Sequence, residues 1–241
     1  MKAVNRFFFF SSYLLLTLSS ICIAVTGHAQ EADALVKKVR DKLNLVKDYQ
    51  AEGTLITNVS FMKVPPSAIT VYYKNPDKFK IRKQDGISIV PKGGMSVNVN
   101  SLFAGSKQFT AVPAGKTMFN GQQLSVIKLL PLDETSDVVV STLYIDEKLA
   151  LIRKAITTTK ESGTYEIEMS YGKFTNWGLP DKVVFLFNTQ NYKLPKGLAF
   201  DYDTGEKPVV SSNAENSKGK VEITYSAYTV NKGIAASVFA K

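Results

Sequence analysis

Glu166 and Glu168 stand two residues apart, and a close pair of carboxylates is what general acid–base chemistry needs. Their setting argues against that use. Tyr165, Ile167, Met169 and Tyr171 alternate with them, so a strand here turns its apolar side inward and both carboxylates to water. Asp201, Asp203 and Gly205 open a D-x-D-x-G calcium-loop pattern, but the position for the bidentate Glu holds Ser212. Asp and Gly favour turns for conformational reasons, so this segment reads as a turn. Tyr72, Tyr73, Tyr165 and Tyr171 carry rings able to stack on a sugar or a base. On strands, such rings more often pack in a core or across strands. The single histidine, His28, and the single cysteine, Cys22, both fall in the first 29 residues.

Those residues read as an export signal. Lys2 and Arg6 precede an apolar run from Phe7 to Val25, and Gly27, His28 and Ala29 lead to a cut before Gln30. A charged start, an apolar middle and a small-x-small exit describe a cleavable secretory signal. An uncleaved anchor fits less well, because serines and threonines interrupt the run and a cleavage pattern follows at once. Ile21 is too large to precede a lipid-attachment cysteine, so Cys22 is an ordinary apolar member of the signal.

Cleavage leaves residues 30–241 as one domain, with 28 basic residues against 21 acidic ones and a net charge of +7. Neither His nor Cys remains. That excludes a Ser-His-acid triad, a Cys nucleophile, a disulfide and zinc sites built on His or Cys. No phosphate-binding glycine loop is present. The sequence therefore predicts no catalytic residue, no metal site and no cofactor. Lys37, Lys38, Lys63, Lys74, Lys78, Lys80, Lys83, Lys92, Lys107 and Lys116 are scattered and read as solvated strand faces. Nucleic acid is no partner for an exported chain.

The elements that must position everything else are one helix and about ten strands. Ala32, Leu35, Val36, Val39, Leu43, Val46 and Tyr49 recur in steps of three and four, predicting an amphipathic helix from Glu31 to about Asp48. The period then changes to two. Alternation predicts strands around 54–61, 69–74, 78–82 and 87–90, joined by Pro65-Pro66, Asn75-Pro76-Asp77 and Asp85-Gly86 as an antiparallel meander. Asn98 to Lys116 lacks a period and reads as a loop or short helix over an opening, with Leu102, Phe103 and Phe109. Further strands follow at 123–130, 138–145, 149–159, 165–171, 182–188 and 221–230, with Asp201 to Lys220 as a polar excursion. No helical crossovers separate the strands. The expected architecture is mainly β: a large twisted antiparallel sheet curled into an incomplete barrel, with the N-terminal helix on its concave side.

Several segments occur in a telling order. Ala34-Leu35-Val36-Lys37-Lys38 opens the helix, and Val46-Lys47-Asp48-Tyr49-Gln50-Ala51-Glu52-Gly53 leads into a long strand. Val71-Tyr72-Tyr73-Lys74-Asn75-Pro76-Asp77-Lys78-Phe79-Lys80-Ile81 follows. Then come Asn120-Gly121, Leu129-Leu130-Pro131, Leu143-Tyr144-Ile145-Asp146 and Leu151-Ile152-Arg153-Lys154. This order resembles the LolA-type outer-membrane lipoprotein carriers and the wider lipoprotein-sorting family over about Leu35 to Phe187.

The resemblance implies a half-open β-barrel with a helical lid over an apolar cavity. Such a cavity holds lipoprotein acyl chains in transit across the periplasm. Each CH₂ hidden from water contributes roughly 0.8 kcal/mol, which is why long chains need shelter there. The implied partners are acylated lipoproteins or lipids and the inner- and outer-membrane components of lipoprotein transport, met by a monomer. Inward positions inferred from alternation are Leu55, Val59, Phe61, Val71, Tyr73, Phe79, Ile81, Ile167, Met169, Phe185 and Phe187. A binder of free lipid and an interaction module on the same fold remain alternatives. One departure stands out: Asn75 occupies the place of an Arg that helps latch the lid in well-studied carriers, and an amide cannot make that charged fork.

Overall fold

A computed structural model describes residues 30–59, 62–63, 65–76, 78–83, 88–89, 108–161, 163–188 and 218–240. The export signal, Phe61, the Asp85-Gly86 turn and most of the 201–220 excursion lie outside the described residues. Helix α1 covers residues 30–43. Ala32, Val36, Val39 and Leu43 form its buried stripe. It ends earlier than the stripe alone predicts. The N–H groups of Leu45 and Val46 bond back to the carbonyls of Lys42 and Leu43, a tightening that closes a helix end. Val46 stays buried in the turn, and Tyr49 belongs to the first strand rather than to the helix.

The strands are β1 (Asp48–Val59), β2 (Met62–Lys63), β3 (Ser67–Lys74), β4 (Lys78–Lys83), β5 (Ser88–Ile89), β6 (Phe109–Phe119), β7 (Gln122–Pro131), β8 (Val138–Asp146), β9 (Leu151–Thr159), β10 (Gly163–Ser170), β11 (Lys182–Asn188) and β12 (Lys218–Val230). Ten of them exceed two residues. All join one antiparallel sheet in the order β5-β4-β3-β1-β12-β11-β10-β9-β8-β7-β6, with β2 beside β1. Two meanders therefore meet at a β1–β12 seam, and the sheet stays open with β5 and β6 as its edges. This is the expected half-open, mainly β architecture with an N-terminal helix.

β6 corrects the sequence reading. Phe109 to Lys116 belongs to a long strand, not to a loop or short helix. The period is hidden because β6 is an edge strand: only Ala111 along it is buried. Its register against β7 also shifts between Pro113 and Lys116, around Gly115 at φ 88°. Pro and a bulge are common devices of an exposed edge. Among the described residues no helix is long and apolar enough to cross a membrane.

Candidate functional site

Register builds the inner face row by row. Thr57, Val221, Phe185, Ile167, Ala155, Leu143 and Ile127 face one another across seven strands. A neighbouring row runs Phe187, Tyr165, Thr157, Ser141, Leu129 and Ala111. Leu55, Val71, Tyr73, Ile81, Ile167, Met169, Phe185 and Phe187 all lie in one buried cluster with the α1 stripe, and Phe79 packs partly buried against it. The structure thus brings nine of the eleven sequence-derived inner positions together. Val59 is in β1, and Phe61 lies outside the described residues.

Alternation along β12 and β7 could have added more. Ile223 and Tyr225 on β12, and Ile127 and Leu129 on β7, join the same cluster. Ser141 and Thr157 are polar members of this face. Their hydroxyls bond each other at 2.9 Å, so neither is left unsatisfied in an apolar setting.

One end of the face is closed by aromatic rings. Tyr49 lies 5.3 Å from both Tyr73 and Tyr228, and Tyr228 contacts Phe174 at 4.7 Å and Tyr225 at 5.0 Å between centroids. The hydroxyls of Tyr228 and Tyr171 donate to the carbonyls of Pro180 and Ile152, both at 2.8 Å. Burial pushes the phenols of Tyr49, Tyr171, Tyr225 and Tyr228 up, so these rings stay neutral. Toward the other end lie Tyr165, Phe185 and Phe187, with centroids 5.2 and 5.4 Å apart in turn. Gly219 faces Phe187 across the β11–β12 ladder, where any side chain would strike the ring.

Between α1 and the β6–β7 hairpin lies a cleft of about 320 Å³. That is near the lower bound for small-molecule sites, roughly 300–1,000 Å³. Ala32, Ala34, Leu35, Pro113 and Ile127 give it apolar walls, and Glu31, Lys38, Lys116, Ser125 and Glu147 a polar rim. Glu147 accepts a hydrogen bond from Ser125 and pairs with Lys116 at 3.0 Å. The Ser125 and Lys116 hydrogen bonds hold its carboxyl below the usual Glu range against the opposing effect of burial. The cleft therefore offers an apolar slot with ionic groups at its mouth. Sequence reasoning missed it because Ala32 and Leu35 are far along the chain from Pro113 and Ile127.

The carboxylate pair has no place in this site. Glu166 lies 2.5 Å from Lys154 on the opposite face, and Glu168 lies 3.8 Å from the same ammonium. Burial and then the neighbouring Glu166 push the Glu168 carboxyl up. Lys154 also sits over the rings of Phe119 and Tyr144, so the group is a packed outer-face cluster.

No family model and no curated protein matches the sequence. Solved structures do. A domain from Vibrio parahaemolyticus named for outer membrane lipoprotein sorting superposes with a TM-score of 0.56 at 9% identity, covering 88% of this chain and 97% of that one. A LolA superfamily protein from Nitrosomonas europaea gives 0.54 at 9% identity, covering 87% and 97%. The fold is LolA-type. A DUF1329 family protein from Desulfovibrio piger shares it, with a TM-score of 0.55 at 10% identity and coverage of 88% and 97%. At such identities the LolA-type likeness extends to architecture only. Asn75 lies in the β3–β4 turn with its backbone N–H donating to the Lys47 carbonyl at 2.8 Å.

Proposed function

We propose that this chain is an exported, periplasmic carrier that shelters the acyl chains of lipoproteins on their way to the outer membrane. The observation that carries this reading is the apolar inner face with α1 laid on it and an amphiphilic cleft beside the helix. Leu55, Val59, Phe61, Val71, Tyr73, Phe79, Ile81, Ile167, Met169, Phe185 and Phe187 are the proposed lining. The LolA-type fold and the export-signal pattern in the sequence of residues 1–29 support the same reading. On this reading the protein is a monomeric carrier rather than an enzyme. It meets inner- and outer-membrane transport components in turn. With Asn75 at the latch position, hand-over follows the acceptor's greater affinity rather than the release of a charged fork.

Native mass spectrometry of protein purified from the periplasm tests the proposal. A co-purifying triacylated peptide is the expected result. A free lipid in its place would move the assignment to another apolar ligand on the same fold. Protein that carries nothing and takes up no acyl probe would overturn both.

A further inference from the structure

The outer side of β3–β4 gathers cations that the sequence scatters. Ile69, Val71, Tyr73 and Ile81 are buried on the inner face. Alternation then puts Tyr72, Lys74, Lys78, Lys80 and Arg82 on the other face. Register sets Lys74 directly opposite Lys78, and Lys80 opposite Tyr72. Like charges opposed across a ladder repel. Among the described residues none of the four cations forms an ion pair with a carboxylate.

Their partners are neutral. The segment after β12 crosses this face, and three main-chain carbonyls accept from it. Lys74 donates to Ile234 at 3.1 Å, Lys80 to Ala240 at 2.9 Å and Arg82 to Val238 at 3.3 Å. These carbonyl oxygens satisfy donors but carry no formal charge. The 3₁₀ helix Ala236–Phe239 in this segment buries no residue. Val238 and Phe239 therefore stay partly exposed beside the cations.

We propose that this face, with the C-terminal segment along it, docks on an anionic lipid bilayer. A row of cations that form no ion pair with a carboxylate among the described residues, next to apolar side chains, is the composition of a membrane-surface site. The Arg82 guanidinium also lies over the Tyr72 ring at 5.4 Å, and aromatic residues favour the head-group region. The surface is on the opposite side of the sheet from the apolar inner face. Docking therefore stands or falls separately from the cargo reading, and can be measured whatever the interior holds.

Co-sedimentation with phosphatidylcholine vesicles, with and without phosphatidylglycerol, tests it. Binding should require the anionic lipid and fall as salt rises, whereas acyl uptake by the inner face would not respond to salt. Each cation near such a surface contributes roughly fivefold in affinity, so K78Q/K80Q/R82Q should lose about a hundredfold. K128Q/K148Q/K173Q removes equal charge elsewhere and should lose far less. Equal losses in the two variants would reduce the effect to net charge and overturn the proposal. Binding to immobilised polyglutamate without vesicle binding would assign the face to an acidic protein and overturn the lipid. The Lys78 side chain makes no hydrogen bond among the described residues, so Lys78→Gln leaves the C-terminal contacts intact. It should lose about fivefold even where the triple variant fails to fold.

Discussion

Asn231 donates its side-chain N–H to the carbonyl of Leu45 at 2.8 Å, across 186 residues of chain. Its Oδ1 accepts from the Lys47 N–H at 2.7 Å. One amide thus clamps the turn between α1 and β1 from the far end of β12. It follows directly on the end of β12, beside the β1–β12 pairing, and so ties the turn after α1 to the last strand.

Asn231 also holds φ at 57°, a left-handed value that Asn tolerates better than Ala. Asn231→Gly keeps that conformation and loses the clamp, and should lower stability by about 1–2 kcal/mol. Asn231→Ala loses both and should be worse than Gly. Urea unfolding followed by circular dichroism measures the order. Two variants as stable as the parent would mean that the clamp contributes nothing.

Gly53 tests the seam itself. The β1–β12 register shifts between Glu52 and Gly53, and a Cβ at Gly53 would run into the Thr224 carbonyl oxygen. That atom is backbone and cannot swing aside without unpairing the strands. Gly53→Ala should therefore cost about 1–3 kcal/mol, despite the usual gain from restricting a glycine in the unfolded chain. A neutral or more stable variant in the same urea assay would show that the seam gives way.

These contacts mark where sequence reading stops. The α1 stripe, the β3–β4 hairpin and the strict alternation of β10 were legible because each rests on local periodicity and turn chemistry. Glu166 and Glu168 fell on the outer face for the same reason. β6 was not legible, since an edge strand exposed along most of its length needs no alternation. The helix end was misplaced because Asn231, far along the chain, holds the turn. The cleft, and the crossing of the cation row by the C-terminal segment, depend on contacts between distant segments, and spacing within one segment cannot report those.

Acid should weaken the fold through Asp146. It is buried at the end of β8, accepting from Gln122 at 2.5 Å and from Arg153 at 3.2 Å. The N–H groups of Lys148 and Leu149 bond its other oxygen. Burial pushes the carboxyl up, but the hydrogen bonds from Gln122, Leu149 and Arg153, with the Arg153 charge, outweigh it and hold the group below the usual Asp range. A depressed folded value means that the unfolded chain binds the proton more readily. The contribution is complete above the unfolded value, about pH 4, and is lost as pH falls through the folded one. Urea midpoints should hold steady from neutral pH to about 5 and then fall. Asp146→Asn should be less stable at neutral pH and show a shallower acid slope. Glu147 and Glu222 are also held low, so some slope should remain. Parallel pH curves for variant and parent would remove Asp146 from this role.

Ala34 decides whether the cleft takes an acyl chain. Its side chain lines the slot from α1 yet is exposed to solvent, so enlarging it disturbs no packed neighbour. An indole there would occupy space that a ligand needs. Ala34→Trp should weaken binding of a fluorescent fatty-acyl probe by about tenfold, close to the shelter of two CH₂ groups. Its unfolding midpoint should stay within about 0.5 kcal/mol of the parent, as expected for a surface change. Unchanged probe affinity in a stable variant would place the chain elsewhere on the inner face, nearer Phe185 and Phe187. Weaker binding together with lost stability would point to a disturbed α1 instead. The two measurements together therefore distinguish a blocked slot from a damaged helix.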